Sequence, residues 1–306
     1  MFSSLNDLFS VFASDLLPIF LIAGAGFALA RWLKASVVTL THVVFYALLP
    51  CFAFRLLISS VATGRRFGMM VLLAVLVMVT MAAVGALLSL ALRLSRAEST
   101  VFLLVVMFSN GGNYGLPVVS FAFGEDALSY GTVFFLTGSV LTNTVGAFLA
   151  AAGRRSLRTA ATSVLKMPAI YGMVAAGIVL ATGMTVPTAV LRPVSMLSDA
   201  ALPLMILVLG MQLERASSPK RPALVAAAVC VSLLVAPLVA LGLTSMFGVT
   251  GAARQAVVVL SSMPVAVATT ILAVEFDASP DFVTGAVFLS TLLSPITLTP
   301  LIAYLR

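Results

Sequence analysis

The chain has 306 residues, of which 61% are hydrophobic and only 9% charged, and its mean hydropathy is +1.19; soluble domains are about 45–50% apolar. A water-soluble globule is excluded, and so is a large aqueous domain, because a bilayer span takes about 20 apolar residues and the length is used up by about ten of them. The formal charge of +7, from 17 Lys+Arg against 10 Asp+Glu, is scattered over short loops rather than gathered on a basic face, so nucleic acid is not an expected partner.

Apolar windows separated by charged or Gly/Pro-containing turns predict helices at about 15–33, 36–58, 67–92, 99–122, 128–151, 167–184, 190–213, 221–247, 252–275 and 282–305. Met1 to Ser14 contain no Lys or Arg and lack the positive start of a signal peptide, so the first apolar run, from about Leu16, is expected to remain as a helix. The second span holds the single histidine, His42, and further on Leu49-Pro50, Cys51 and Arg55. Cys51 and Cys230 lie in apolar runs without metal-ligand spacing, so no disulfide, metal or cofactor role is expected. Arg55 is read either as a cation snorkelling to the headgroups or as a clamp for a second carboxylate.

The fourth span carries the strongest local signal, Phe108-Ser109-Asn110-Gly111-Gly112-Asn113-Tyr114-Gly115-Leu116-Pro117. Three glycines, two asparagines and a proline should unwind a helix there, and freed backbone groups at bilayer depth are tolerated only in a protein-lined or wet cavity. The half-helix that restarts presents a positive dipole end, which attracts an anion. Asn110 and Asn113 add neutral amide donors. A packing kink would need the glycines but not two asparagines in the middle of a span.

The fifth span contains Thr142-Asn143, a polar pair that serves either an anion or an interhelical hydrogen bond. The most charged loop, Arg154-Arg155-Ser156-Leu157-Arg158 to Lys166, falls near the midpoint. It divides the chain into a first five-helix repeat (1–152), a basic linker (153–166) and a second repeat (167–306). Asp199, in the seventh span, is read as an interfacial carboxylate, a partner for a cation or a carrier of a coupling proton. The ninth span is interrupted at Ser261-Ser262-Met263-Pro264, and its hydroxyls either bond back to their own helix or meet a ligand. Glu275, Asp277 and Asp281 then read as a solvated loop.

A shift of about 153 residues supports the division. It places Ala47, Leu49 and Pro50 on Ala200, Leu202 and Pro203, and Phe135, Leu136 and Thr144 on Phe288, Leu289 and Thr297. It also sets Ser109-Asn110-Gly111 against Ser262-Met263-Pro264. An odd number of helices per repeat makes the repeat inverted, the pattern of secondary transporters whose site lies near the midplane. With the N-terminus outside, the inner loops hold Arg31, Lys34, Arg93, Arg96, Arg154, Arg155, Arg158, Lys166, Arg215, Lys220 and Arg221. Only Arg55, Arg65, Arg66, Arg192, Arg254 and Arg306 are left outside. This balance favours both termini outside and the central linker in the cytoplasm.

The Asn110 to Pro117 stretch, Leu49-Pro50 and Leu202-Pro203, Lys166-Met167-Pro168 and Leu289-Ser290-Thr291-Leu292-Leu293-Ser294-Pro295 together resemble the auxin efflux carrier family. That family includes plant PIN-type carriers and bacterial malonate and malate permeases. The resemblance covers the whole chain, and its most specific element is the fourth-span motif. It implies an all-α membrane fold of ten helices related to bile-acid symporters, with helices 4 and 9 broken and crossing. It further implies a scaffold of helices 1, 2, 6 and 7 that forms a homodimer, and a mobile core of helices 3–5 and 8–10 that carries a small organic anion in an elevator-like movement.

Transferred to this sequence, the family's carboxylate-binding asparagine matches Asn110 or Asn113, its crossover prolines match Pro117 and Pro264, and its fifth-helix polar pair matches Thr142-Asn143. Ser262-Met263 departs from the plant pattern, where an amide is expected, and the long hydrophilic central loop of plant carriers is missing. Both departures suit a compact bacterial permease of the inner membrane. Related cation/proton antiporters keep a carboxylate where this chain has Thr142-Asn143, so cation antiport is disfavoured. The expected site is thus Asn110, Gly111, Asn113, Tyr114, Pro117, Thr142, Asn143, Ser262, Met263 and Pro264, with Arg55 as second clamp and Asp199 for coupling. The expected function is transport of a dicarboxylate such as malonate or malate, against the alternatives of a monocarboxylate or auxin-like exporter, an anion channel or a ligand sensor. No nucleophile, acid and base come together in the sequence, so no enzyme activity is expected.

Overall fold

The computed structural model describes residues 5–59, 64–150, 167–214, 221–275 and 278–306. The basic linker 153–166 lies outside them, as do Arg215, Lys220 and Asp277. All the regular structure described is helical: α1 (Leu5–Leu33), α2 (Val37–Ile58), α3 (Arg65–Ala91), α4 (Arg96–Met107), α5 (Gly111–Ala150), α6 (Pro168–Thr182), α7 (Thr188–Leu213), α8 (Pro222–Met246), α9 (Gly251–Ser261), α10 (Val267–Glu275) and α11 (Pro280–Leu305). Seven of these, α1, α2, α3, α5, α7, α8 and α11, are long and apolar enough to cross a membrane. The protein is a multi-pass membrane protein.

Local chemistry accounts for the boundaries. Ser36 caps α2 by accepting from the Thr39 N–H at 3.2 Å. A capping box opens α4: the Ser95 hydroxyl accepts from the Glu98 N–H, and the Glu98 carboxylate from the Ser95 N–H at 2.8 Å. The two predicted spans at 99–122 and 252–275 are each divided, into α4 and the start of α5 and into α9 and α10. The turn expected between the fourth and fifth spans is a single bend within α5 at Gly124, whose φ of 76° is open to glycine at no steric cost. The first helix begins about ten residues before the expected start, at Leu5, because Asn6 and Asp7 dilute the apolar signal without opposing a helix.

Five wide, π-type turns widen the long helices: Phe12–Leu16, Val44–Leu48, Gly111–Gly115, Thr142–Gly146 and Val231–Val235. Four of them end two residues before a proline, namely Pro18, Pro50, Pro117 and Pro237. A proline ring collides with the carbonyl four residues back and offers no N–H. In each case the residue before the proline donates instead to the carbonyl five residues back, as Leu49 does to Val44, and the extra room lets the helix continue.

The helices pack as two groups. α7 lies along α1 and α2, and α6 along α2; in the other group α5 packs on α3 and α9, α3 on α4 and α8, and α8 on α9 and α11. In the first group the backbones touch: a Cβ on Gly210 would collide with the Ala23 carbonyl oxygen, and one on Gly26 with the Leu207 carbonyl oxygen. Such close approach is how helices associate where apolar burial against lipid gains nothing. Two side-chain hydrogen bonds join the groups among the described residues. Arg306 donates to the buried Asp15 at 2.6 Å, linking α1 to the end of α11, and Asn113 donates to Gln212 of α7 at 3.3 Å.

Candidate functional site: two crossing helix breaks

The glycine-rich stretch of the fourth span leaves the helix after Met107 and re-enters it at Gly111. The proline of the ninth span does the same between Ser261 and Val267. The two gaps lie antiparallel against each other, with Ser109 opposite Val265. The Asn110 N–H donates to the Pro264 carbonyl at 2.7 Å and the Ala266 N–H to the Phe108 carbonyl at 2.9 Å. The Ser109 hydroxyl donates to the Leu260 carbonyl at 2.8 Å, and the Val265 N–H to the Ser290 hydroxyl at 3.0 Å. Backbone groups freed by one break are thus satisfied by the other, as the interior of a bilayer demands.

A cavity of about 490 Å³ opens beside the crossing. Its inner wall is Phe108 to Asn113, its sides come from α2, α3 and α5, and it extends to Met167 and Pro168 at the start of α6 and Gln212 near the end of α7. It therefore reaches the end of the molecule where the α1–α2 turn lies. The wall is largely apolar, with Phe45, Tyr46, Met78, Phe134 and Phe135 in it, and holds no Lys, Arg, Asp or Glu among the described residues.

Of the residues expected at the site, Asn110, Gly111, Asn113, Thr142 and Asn143 line this cavity. Asn110 is 6% exposed and its Nδ2 has no hydrogen-bond partner. Thr142 and Asn143 sit in a wide turn and donate to Gly138 and Ser139 carbonyls of their own helix, each at 2.9 Å. Tyr114, Pro117, Ser262, Met263 and Pro264 are buried behind the wall rather than in it. The Tyr114 hydroxyl lies 3.1 Å from that of Ser294, and its ring stands edge-on to Phe20 at 5.9 Å. Ser261, Ser262 and Thr269 all donate to carbonyls three or four residues back, the helix-bonding alternative weighed from sequence. Pro264 acts through its carbonyl.

Arg55 and Asp199 do not line the cavity; they pair with each other across α2 and α7, with Asp199 exposed and Arg55 half-buried. Sequence reasoning gave His42 no ligand role, yet it lines the cavity, edge-on to Tyr46 at 5.7 Å. Gln212 was missed. Its signal was available, since a lone carboxamide near the end of an apolar span is a polar residue placed at a cost.

The sequence profile of the family described as "Membrane transport protein" matches residues 11–163 and 152–302. An "Uncharacterized transporter" of Methanothermobacter thermautotrophicus is 28% identical over 269 residues, covering 85% of this chain and 86% of its own length. The "Uncharacterized transporter MJ1031" of Methanocaldococcus jannaschii is 24% identical over 196 residues, covering 63% of this chain and 64% of its own. With matches that take in both helix breaks and nearly the whole length, this chain belongs to the membrane transport protein family, that of the auxin efflux carriers which its fourth-span motif resembles.

Proposed function

We propose that the protein is a secondary transporter of small organic anions, with dicarboxylates such as malonate or malate as its substrates, working by alternating access. The observation that carries this reading is Asn110, a residue of the wall of a cavity large enough for a small acid, whose Nδ2 is buried beside that cavity with no acceptor. A buried donor without a partner costs about 1–3 kcal/mol, and turning the amide towards a carboxylate oxygen in the cavity removes that cost. The Gly111 N–H is taken by the Ser109 carbonyl at 2.9 Å, and the N–H groups that follow it in the first turn of α5 add the positive end of the helix dipole. Neutral donors of this kind hold an anion without a fixed cation, so the loaded and empty sites both move through the membrane region without an unpaired arginine.

The grouping of α1, α2, α6 and α7 around one another supports a ten-segment arrangement of two inverted repeats, in which the first group is a dimerising scaffold and the second an elevator core. With both termini outside the inner membrane of a bacterium, the cavity would open to the cytoplasm. The apolar wall favours a second reading, a monocarboxylate with an apolar or aromatic body, and Arg55 gives no second clamp in this conformation because Asp199 holds it. Purified protein in proteoliposomes is expected to exchange labelled malonate in counterflow, and Asn110→Ala and Asn113→Ala to abolish it while the protein stays folded. Competition by phenylacetate but not by malate would select the monocarboxylate. Wild-type uptake in both variants would overturn the site.

A further inference from the structure

Gln212 is the only cavity-lining residue contributed by α7, and it faces Asn113 from the opposite helical group. The Asn113 Nδ2 donates to Gln212 Oε1 at 3.3 Å, which occupies the acceptor of the glutamine and leaves its own Nε2 donor without a partner among the described residues. Asn110, on the same wall, has its Nδ2 buried in the protein without a partner. The Gln212 carboxamide therefore offers a free donor, next to Asn113, to a cavity whose wall holds no Lys, Arg, Asp or Glu among the described residues. A free N–H donor suits a ligand that accepts, and a carboxylate, which only accepts, is such a ligand.

We infer that Gln212 contacts the substrate carboxylate directly through Nε2, so that in this conformation the anion bridges the two helical groups. The assignment rests on the reading of the protein as an organic-anion transporter and adds a carboxamide from the scaffold side to the asparagines of the core side. It gives Gln212 two separable roles, an acceptor for Asn113 and a donor for the ligand.

Gln212→Glu separates them. Glutamate has the same shape and keeps an oxygen to accept from Asn113, but it replaces the NH2 with a charged oxygen that repels a carboxylate. Titration of purified protein at pH 7.5 with malonate, malate and phenylacetate, followed by ligand-induced thermal stabilisation, is expected to show a loss of affinity of about tenfold or more in Gln212→Glu. Its melting without ligand should match that of the wild type. Wild-type affinity in Gln212→Glu would mean that Gln212 only holds Asn113 and would overturn the assignment alone. Should Gln212→Glu not fold, Gln212→Met fills the same space without charge, and unchanged affinity in that variant overturns the assignment too. No stabilisation of the wild type by any of the three acids would defeat the transporter reading first, and this assignment with it.

Discussion

Asn110 has two opposed effects. Its backbone N–H ties the fourth-span break to Pro264, while its side-chain amide is buried without a partner. Asn110→Leu keeps the size and the backbone bond but removes the unsatisfied donor. Ligand-free protein carrying this change is expected to be more stable by about 1 kcal/mol in denaturant titration in detergent, and to lose all stabilisation by carboxylates. A residue that lowers stability and raises it on ligand addition is the mark of a binding group rather than a packing one. The two asparagines were legible in the sequence because an amide in the middle of an apolar span has to be compensated. Gln212 and the aromatic wall were not, since their meaning depends on which helices α7 and α5 meet, and a single span does not record its neighbours. Tyr114 shows the converse: it lies inside the motif, yet its ring is fully buried against Phe20, facing away from the cavity.

At the scale of helices, apolar length and the cluster of glycines predicted most of the segments and the first break. The sequence did not reveal how the prolines are accommodated. Leu49-Pro50 and Leu202-Pro203 look alike, but Pro50 follows a wide turn whereas Pro203 lies within α7 with no such turn beside it. Widening depends on what the neighbouring helices leave room for, so the dipeptide alone does not fix it. The contact of α1 with α7 is the firmest element pairing, since both Gly26 and Gly210 lie against backbone. A side chain there cannot be absorbed by a rotamer change. Gly210→Val is expected to destabilise the protein by about 3 kcal/mol or more, seen as loss of folded protein on size-exclusion in detergent. Gly242→Val, at a position with no heavy atom within 4 Å of its Cβ, should be tolerated.

For the whole molecule, the two hydrogen-bonded links between the helical groups lie at opposite ends. Asn113 with Gln212 borders the open cavity, and Asp15 with Arg306 closes the far side. Asp15 is 2% exposed, so this ion pair is less screened than the more open pairs Arg31–Glu214 and Arg55–Asp199. If the groups slide past each other in transport, the far-side pair holds the cavity in its present opening. Asp15→Ala removes the buried charge and leaves Arg306 free to meet solvent. The population should shift away from this conformation, and labelling of Ser139→Cys in the cavity wall by a maleimide added on the cavity side is expected to slow by about twofold or more. An unchanged labelling rate would show that the pair braces the fold without biasing the opening.

The mutual hydrogen bonding of the two breaks also bears on how substrate preference can evolve. Each break completes the other's backbone, so residues 108–111 and 262–266 cannot change independently: a residue at 264 that moves its carbonyl also moves the Asn110 amide. Effects of substitutions in the two stretches should therefore be strongly epistatic, with double variants departing from the sum of the singles by more than about 0.5 kcal/mol in ligand binding. New specificities would then arise more readily along the cavity sides, at Phe45, Met78 or Phe134, where a side chain can change without unseating the crossing.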